Sequence, residues 1–223
     1  MNQPTQAMLE AMLELQERMN RKINPEWRTA GYEFLRAVLV ESVEALEHYG
    51  WKWWKRQDPN LEQLRIELID IWHFLLSHYL VQAQGSVPQA GERIAADWQE
   101  PARVAFDGLT YDLATQDRRG KLELLAGLSV ARRPCLPLFA ALLEDCGMDA
   151  ERLYRDYISK NVLNHFRQDN GYKSGEYRKT WEGREDNEHM AEILSRLAPS
   201  PSLADELYGE LERTYRRTRS GSV

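Results

Sequence analysis

IELIDIWHFLLS, residues 66–77, decides the fold. With its flanks it places Leu64, Ile66, Leu68, Ile69, Ile71, Trp72, Phe74, Leu75, Leu76, Tyr79, Leu80 and Val81 in one run. That is neither the alternation of a half-buried strand nor the single stripe of a surface helix. Over about residues 61–82 it predicts a helix that is apolar nearly all round, and so a buried one. Glu67 and Asp70 interrupt it three residues apart, on one face. A carboxylate buried without a partner costs several kcal/mol or stays protonated, so these two need a lysine, an arginine or a metal ion.

Working outward, a second helical region runs from about residue 26 to 48, anchored by Trp27, Phe34, Leu35, Val38, Leu39 and Leu46. It carries Glu41 and Glu44, again three apart. On pattern alone a solvated charged face accounts for that pair. Packed antiparallel to the first helix, however, it would bring four hard oxygen donors together, a set that suits magnesium or manganese and leaves positions open for phosphate. Phe74 lies on the same face, where spacing fits either a core phenylalanine or a ring stacked on a base. His73 lies off that stripe and reads as a hydrogen-bonded structural histidine. Between the acid pairs stands WKWWKR, residues 51–56, whose Lys52 and Lys55 can reach phosphate or the acids. Trp51, Trp53 and Trp54 supply more aromatic surface than one loop needs, suited to walling a nucleobase pocket or to core and subunit packing.

The rest of the chain also reads as helix. Residues 6–20 form a stripe of Met8, Leu9, Met12, Leu13 and Leu15 that ends at Asn24-Pro25. Residues 92–130 predict two or three shorter helices broken near Gly108 and Gly120. Pro134 and Pro137 introduce a helix ending near Gly147, Asp149 caps another over 150–168, and a last one spans about 204–217. Residues 171–190 read as an ordered polar loop, and alternation of useful length is absent. The fold class is all-α: a helical bundle core, the metal site between two antiparallel helices, and a smaller helical segment inserted. The expected division is a domain over 1–197, with 92–147 as a smaller mobile helical part, then a C-terminal helix and basic tail over 198–223.

Composition narrows the function. A chain of 223 residues, 43% of them hydrophobic, can bury a sizeable core. The net charge is −6, but the last eleven residues hold four arginines and no acid, leaving 25 basic against 35 acidic residues elsewhere. A body this acidic is a poor nucleic-acid binder, so phosphate chemistry should be local or bridged by metal. Cys135 and Cys146 read as buried reduced thiols. The acids of the N-terminal segment and the lack of any long uncharged apolar run predict a cytoplasmic protein with no membrane partner.

GYKSGEYRKTWEGREDN, residues 171–187, gathers Lys173, Tyr177, Arg178, Lys179, Arg184 and Asn187 around three glycines. It fits an exposed charged loop and a phosphate-binding one equally well; a metal site opposite favours the second. Together with E-x-x-E at 41–44, WKWWK at 51–55 and E-x-x-D at 67–70, it resembles the dimeric all-α dUTPases. These lie within the all-α NTP pyrophosphatase (MazG-like) group, and the resemblance spans roughly residues 9–190. It implies hydrolysis of dUTP to dUMP and pyrophosphate, and of dUDP, by metal-activated water. Two or three magnesium ions, or manganese, would sit on Glu41, Glu44, Glu67 and Asp70, with Glu41 or Glu44 activating the water. Gln16 and Asn20 would lie near the uracil, with Phe74 and Trp51 of the tryptophan loop as aromatic walls; Lys52 and Lys55 would face phosphate. Asn161 and Asn164 would touch sugar or base, and Lys173, Tyr177, Lys179, Arg184 and Asn187 would close on the phosphates. A homodimer is implied, in the cytoplasm, or the host cytoplasm if the source is a phage. The same residues are open to a dCTP or modified-pyrimidine pyrophosphatase, and to a non-catalytic nucleotide-binding or regulatory helical protein.

Overall fold

A computed structural model describes residues 2–99, 103–197 and 202–220. Helix α1 spans Gln6–Ile23, α2 Phe34–Tyr49 and α3 Leu61–Gln82. The expected buried helix is α3: all but a few of its apolar residues are enclosed, and Glu67 and His73 are buried with them. Asn60 starts it by accepting the Gln63 N–H. Helix α2 stops at Gly50, whose φ of +88° few side chains tolerate, and where a Cβ would come within 2.9 Å of Gln57. Gln57 Oε1 then accepts the backbone N–H groups of Trp51 and Lys52 at 3.0 and 2.7 Å, pinning the tryptophan loop. The Asn60 N–H donates to the His48 carbonyl at 2.8 Å, which turns the chain back so that α2 and α3 run antiparallel.

Helix α4 (Val87–Trp98), strands β1 (Arg103–Phe106) and β2 (Leu109–Asp112), α5 (Arg118–Val130), α6 (Leu136–Asp145) and α7 (Ala150–Asp169) complete the main bundle. Its core joins α1 through α7 into one cluster, with Trp72 stacked on Phe139 at 5.4 Å between ring centres. Residues of 92–147 such as Leu122, Leu125, Phe139 and Leu142 lie in that same core. Two expectations for this region fail. Residues 103–112 form an antiparallel hairpin in place of a short helix, because Asp107 and Gly108 both take positive φ (49° and 74°), the turn that matches strand twist. Gly120 does not break a helix: Asp117 caps α5 by accepting its N–H.

The region expected as an ordered loop also carries regular elements. After residues 171–179 come β3 (Thr180–Trp181) and β4 (Arg184–Glu185), turned at Glu182 and Gly183, then α8 (Asp186–Arg196) behind a reciprocal cap of Glu185 and Glu188. Helix α9 (Leu203–Ser220) buries Leu207, Leu211 and Tyr215 in a second core with Phe166, Tyr177, Trp181 and Ile193. Two of the tail arginines, Arg213 and Arg216, are paired within α9 to Glu210 and Glu212. The boundary expected at 197–198 and the extreme end of the tail fall on or beside residues outside those described. Cys135 and Cys146 form no disulfide. Among the described residues no helix is long and apolar enough to cross a membrane.

Candidate active site

Antiparallel packing of α2 on α3 brings Glu41, Glu67 and Asp70 together, with one carboxylate oxygen of each within 4.8 Å of the others. Glu67 is buried and the other two are half-buried. Burial, followed by the charges of Asp70, Glu67 and Glu44, pushes the Glu41 carboxyl up to about 8. Burial and then Asp70 push Glu67 to about 7. Three hard oxygen donors that resist ionising together are what a small divalent cation relieves, so the donor set fits magnesium or manganese. Glu44 stands one turn along α2, exposed and outside this trio, although its charge is felt by both glutamates.

Two side chains oppose the acids. His48 Nε2 lies 3.2 Å from Glu67, and Lys160 Nζ, on a lysine only 3% exposed, lies 2.8 Å from Asp70. Lys160 also donates to Asn187 Oδ1 at 3.1 Å. From there a buried network runs through Arg167, whose Nε and a terminal nitrogen grip Asp186 at 2.7 and 2.8 Å, to the Tyr177 hydroxyl, which donates to Asp186 at 2.8 Å. The acid cluster is thereby tied across α7 to the start of α8. A cavity of about 440 Å³ opens beside it between α3, α7 and α8, lined by Ile66, Ile69, Arg155, Lys160, Arg184 and Asn187 among others.

Gln16 and Asn20 of α1 are buried together against His73 and Ser77 of α3. Phe74 is half-buried at the edge of the main core. Asn161 is 1% exposed with an amide nitrogen that has no hydrogen-bond partner, and Asn164 accepts from Arg167 at 3.0 Å. In the tryptophan loop Glu47 takes the Trp51 Nε1–H at 2.9 Å and the Lys52 ammonium at 2.7 Å. Lys55 is exposed, as is Trp53.

In the late segment each residue expected to face phosphate has a partner within the protein, Asn187 taking the Lys160 ammonium. Tyr177 is buried and its hydroxyl is spent on Asp186. Lys173 donates to the Ile23 carbonyl at 2.8 Å, Lys179 lies 3.5 Å from Glu185, and Arg184 lies 2.9 Å from Glu192. Sequence reasoning overlooked Lys160, Arg167 and Asp186. The sign was present: Lys160 and Arg167 fall on the buried face of α7 with Leu153, Tyr157, Leu163 and Phe166, where a cation must have an acid to meet.

No curated protein matches the sequence. A family model described as dUTPase matches residues 8–172, which includes all four acids, the tryptophan loop and the amides of α1 and α7. With a helical bundle and an acid cluster between α2 and α3, this chain belongs to the dUTPase family and hydrolyses dUTP.

Proposed function

We propose that dUTP is cleaved to dUMP and pyrophosphate at the Glu41, Glu67 and Asp70 cluster with magnesium as the activating ion, and that dUDP is also a substrate. The convergence of the three acids against a single buried lysine carries this reading. Bound there, magnesium would neutralise phosphate charge and acidify a water molecule. Glu44 stands beside the trio without joining it, which leaves its carboxylate to orient the attacking water and take its proton. Lys160 holds Asp70 in place and presents positive charge to the α3, α7 and α8 cavity, where Arg155 and Arg184 give the phosphates a cationic side.

Gln16, Asn20, Asn161 and Asn164 are assigned to the base and sugar, with Phe74 and Trp51 as walls. Lys52, Lys173, Lys179 and Arg184 exchange their present partners for phosphate when the late segment closes, joined by the exposed Lys55, while Tyr177 and Asn187 act chiefly by holding that segment to α7. The molecule is assigned as a cytoplasmic homodimer on the resemblance, with the exposed Trp53 and Trp54 and the Val40 and Val43 face of α2 as its apolar surface.

The test is dUTP hydrolysis followed by pyrophosphate release, with magnesium titrated in parallel by thermal shift. Glu44→Gln should abolish turnover but keep the magnesium-induced rise in Tm; Asp70→Asn should weaken both. Full turnover in EDTA, or in both variants, refutes the proposal.

A further inference from the structure

We propose that His73 is a specificity-determining positioning residue: its carbonyl fixes the direction of a closed hydrogen-bond ring and its Nδ1–H holds the other end, so that together they fix which way the amides of Gln16 and Asn20 face the base. This rests on the assignment of Gln16 and Asn20 to the base pocket. The ring is short. His73 Nδ1 lies 2.7 Å from Gln16 Oε1, Gln16 Nε2 donates to Asn20 Oδ1 at 2.9 Å, Asn20 Nδ2 donates to Ser77 Oγ at 2.9 Å, and Ser77 Oγ donates to the carbonyl of His73 at 2.9 Å.

The direction follows from the one member that has no choice. A backbone carbonyl only accepts, so it takes the single Ser77 hydrogen, and Ser77 must then receive from the nitrogen of Asn20. Asn20 Oδ1 consequently receives from Gln16, and Gln16 Oε1 must receive from a protonated Nδ1 of His73. Tyr157 reinforces this, its hydroxyl hydrogen shared between the Met12 carbonyl at 2.9 Å and Gln16 Oε1 at 3.0 Å. The ring carries one hydrogen only, because burial holds the His73 pKa down at about 3. Its Nε2 is buried with no partner, consistent with a lone pair on that side. If the other tautomer formed, Nδ1 would demand a donor, Gln16 would have to turn over, and Asn20 after it.

The chemical result is a fixed inventory. Gln16 keeps one unspent N–H, and Asn20 keeps one N–H and a lone pair on Oδ1. Because Gln16 Nε2 rests on Asn20 Oδ1 and Asn20 Nδ2 shares the same amide carbon, these groups run donor, acceptor, donor, the complement of the acceptor, donor, acceptor edge of uracil. Cytosine offers the same number of each but in the order acceptor, acceptor, donor, so its ring nitrogen and its amino group both meet the wrong partner. Discrimination of this kind is large when the polar groups of the site cannot rearrange.

The test compares kcat/KM for dUTP and dCTP in the wild type, His73→Leu, His73→Asn and Gln16→Leu. His73→Leu should lower the dUTP to dCTP ratio by about 10- to 100-fold. His73→Asn restores an N–H near the position of Nδ1 and should recover most of it. A ratio that falls in Gln16→Leu but not in His73→Leu overturns the role of His73 and leaves the pocket assignment standing. A ratio unmoved in both overturns the pocket assignment as well. If His73→Leu does not fold, long-range proton–nitrogen NMR on the wild type decides: protonated Nδ1 supports the proposal, and protonated Nε2 overturns it.

Discussion

The contact of Lys160 with Asp70 puts a buried cation where the proposed metal ion would also bring positive charge. Lys160 is the only fully buried cation set directly against the acid trio among the described residues, so it balances charge that a metal ion would also balance. Replacing it by Gln should strengthen magnesium binding about tenfold while weakening catalysis, read from thermal-shift titrations beside turnover. Unchanged magnesium affinity would show that the lysine does not balance the cluster. The titrations of the acids give a second test. The carboxyl groups of Glu41 and Glu67 rise from 4.5 to about 8 and about 7 on folding, so the native state holds more protons than the unfolded one across that window. Stability of the metal-free protein therefore falls as pH rises through it. His73, lowered from 6.5 to about 3, acts oppositely but only below pH 6.5, and the same limit holds for His78 and His165, which burial also lowers. Between pH 6.5 and 8 the acids act without opposition from those histidines: Tm without magnesium should drop over that interval, and the gain on adding magnesium should be larger at pH 8. A gain of equal size at both pH values would contradict the linkage.

At the scale of elements, the joint between α7 and α8 is a buried ion pair with a tyrosine attached. Asp186 is fully buried and receives three hydrogen bonds, two from Arg167 and one from Tyr177. Arg167→Leu strands that carboxylate and should cost roughly 3–5 kcal/mol in denaturant unfolding. Tyr177→Phe removes one bond to a charged acceptor and should cost about 1.5–3 kcal/mol. Equal costs would mean that the guanidinium is not what joins the helices. The same elements show what a sequence discloses. Helix α3 was legible because a run apolar on every side has one physical outcome, and its acids were conspicuous for the same reason. The hairpin at 103–112 was readable from Asp107-Gly108 between Val104-Ala105-Phe106 and Leu109-Thr110-Tyr111, but its strands are too short for alternation to announce them. Helix α8 hid because DNEHMAEILSR looks like polar loop until the capping partners Glu185 and Glu188 are noticed. The pairing of Lys160 with Asp70 was beyond local pattern, since it depends on α7 crossing α3.

At the scale of the whole molecule, the chain divides its work between two cores. The acid trio is built on the main bundle, whereas the segment over 171–185 is clasped by α9, which lies outside the stretch that the dUTPase family model matches. Tyr215 accepts the Arg178 N–H at 3.2 Å and packs 5.0 Å from Trp181, and Tyr208 donates to Asp169 at 3.0 Å, so α9 braces the segment from outside while Arg167 and Asp186 hold it from within. A chain ending at residue 197 would leave Phe166, Tyr177 and Trp181 without Leu207, Leu211 and Tyr215. Such a chain should keep its magnesium affinity within about twofold, because no side chain of α9 belongs to the trio, yet raise KM for dUTP about tenfold or more as Lys173 and Lys179, the lysines proposed to meet phosphate, lose their fixed position. Magnesium titration and steady-state kinetics on the shortened chain separate the two effects. If KM does not move, the Arg167 and Asp186 pair alone positions the segment and α9 serves stability only; if magnesium binding is lost as well, the two cores are one cooperative unit.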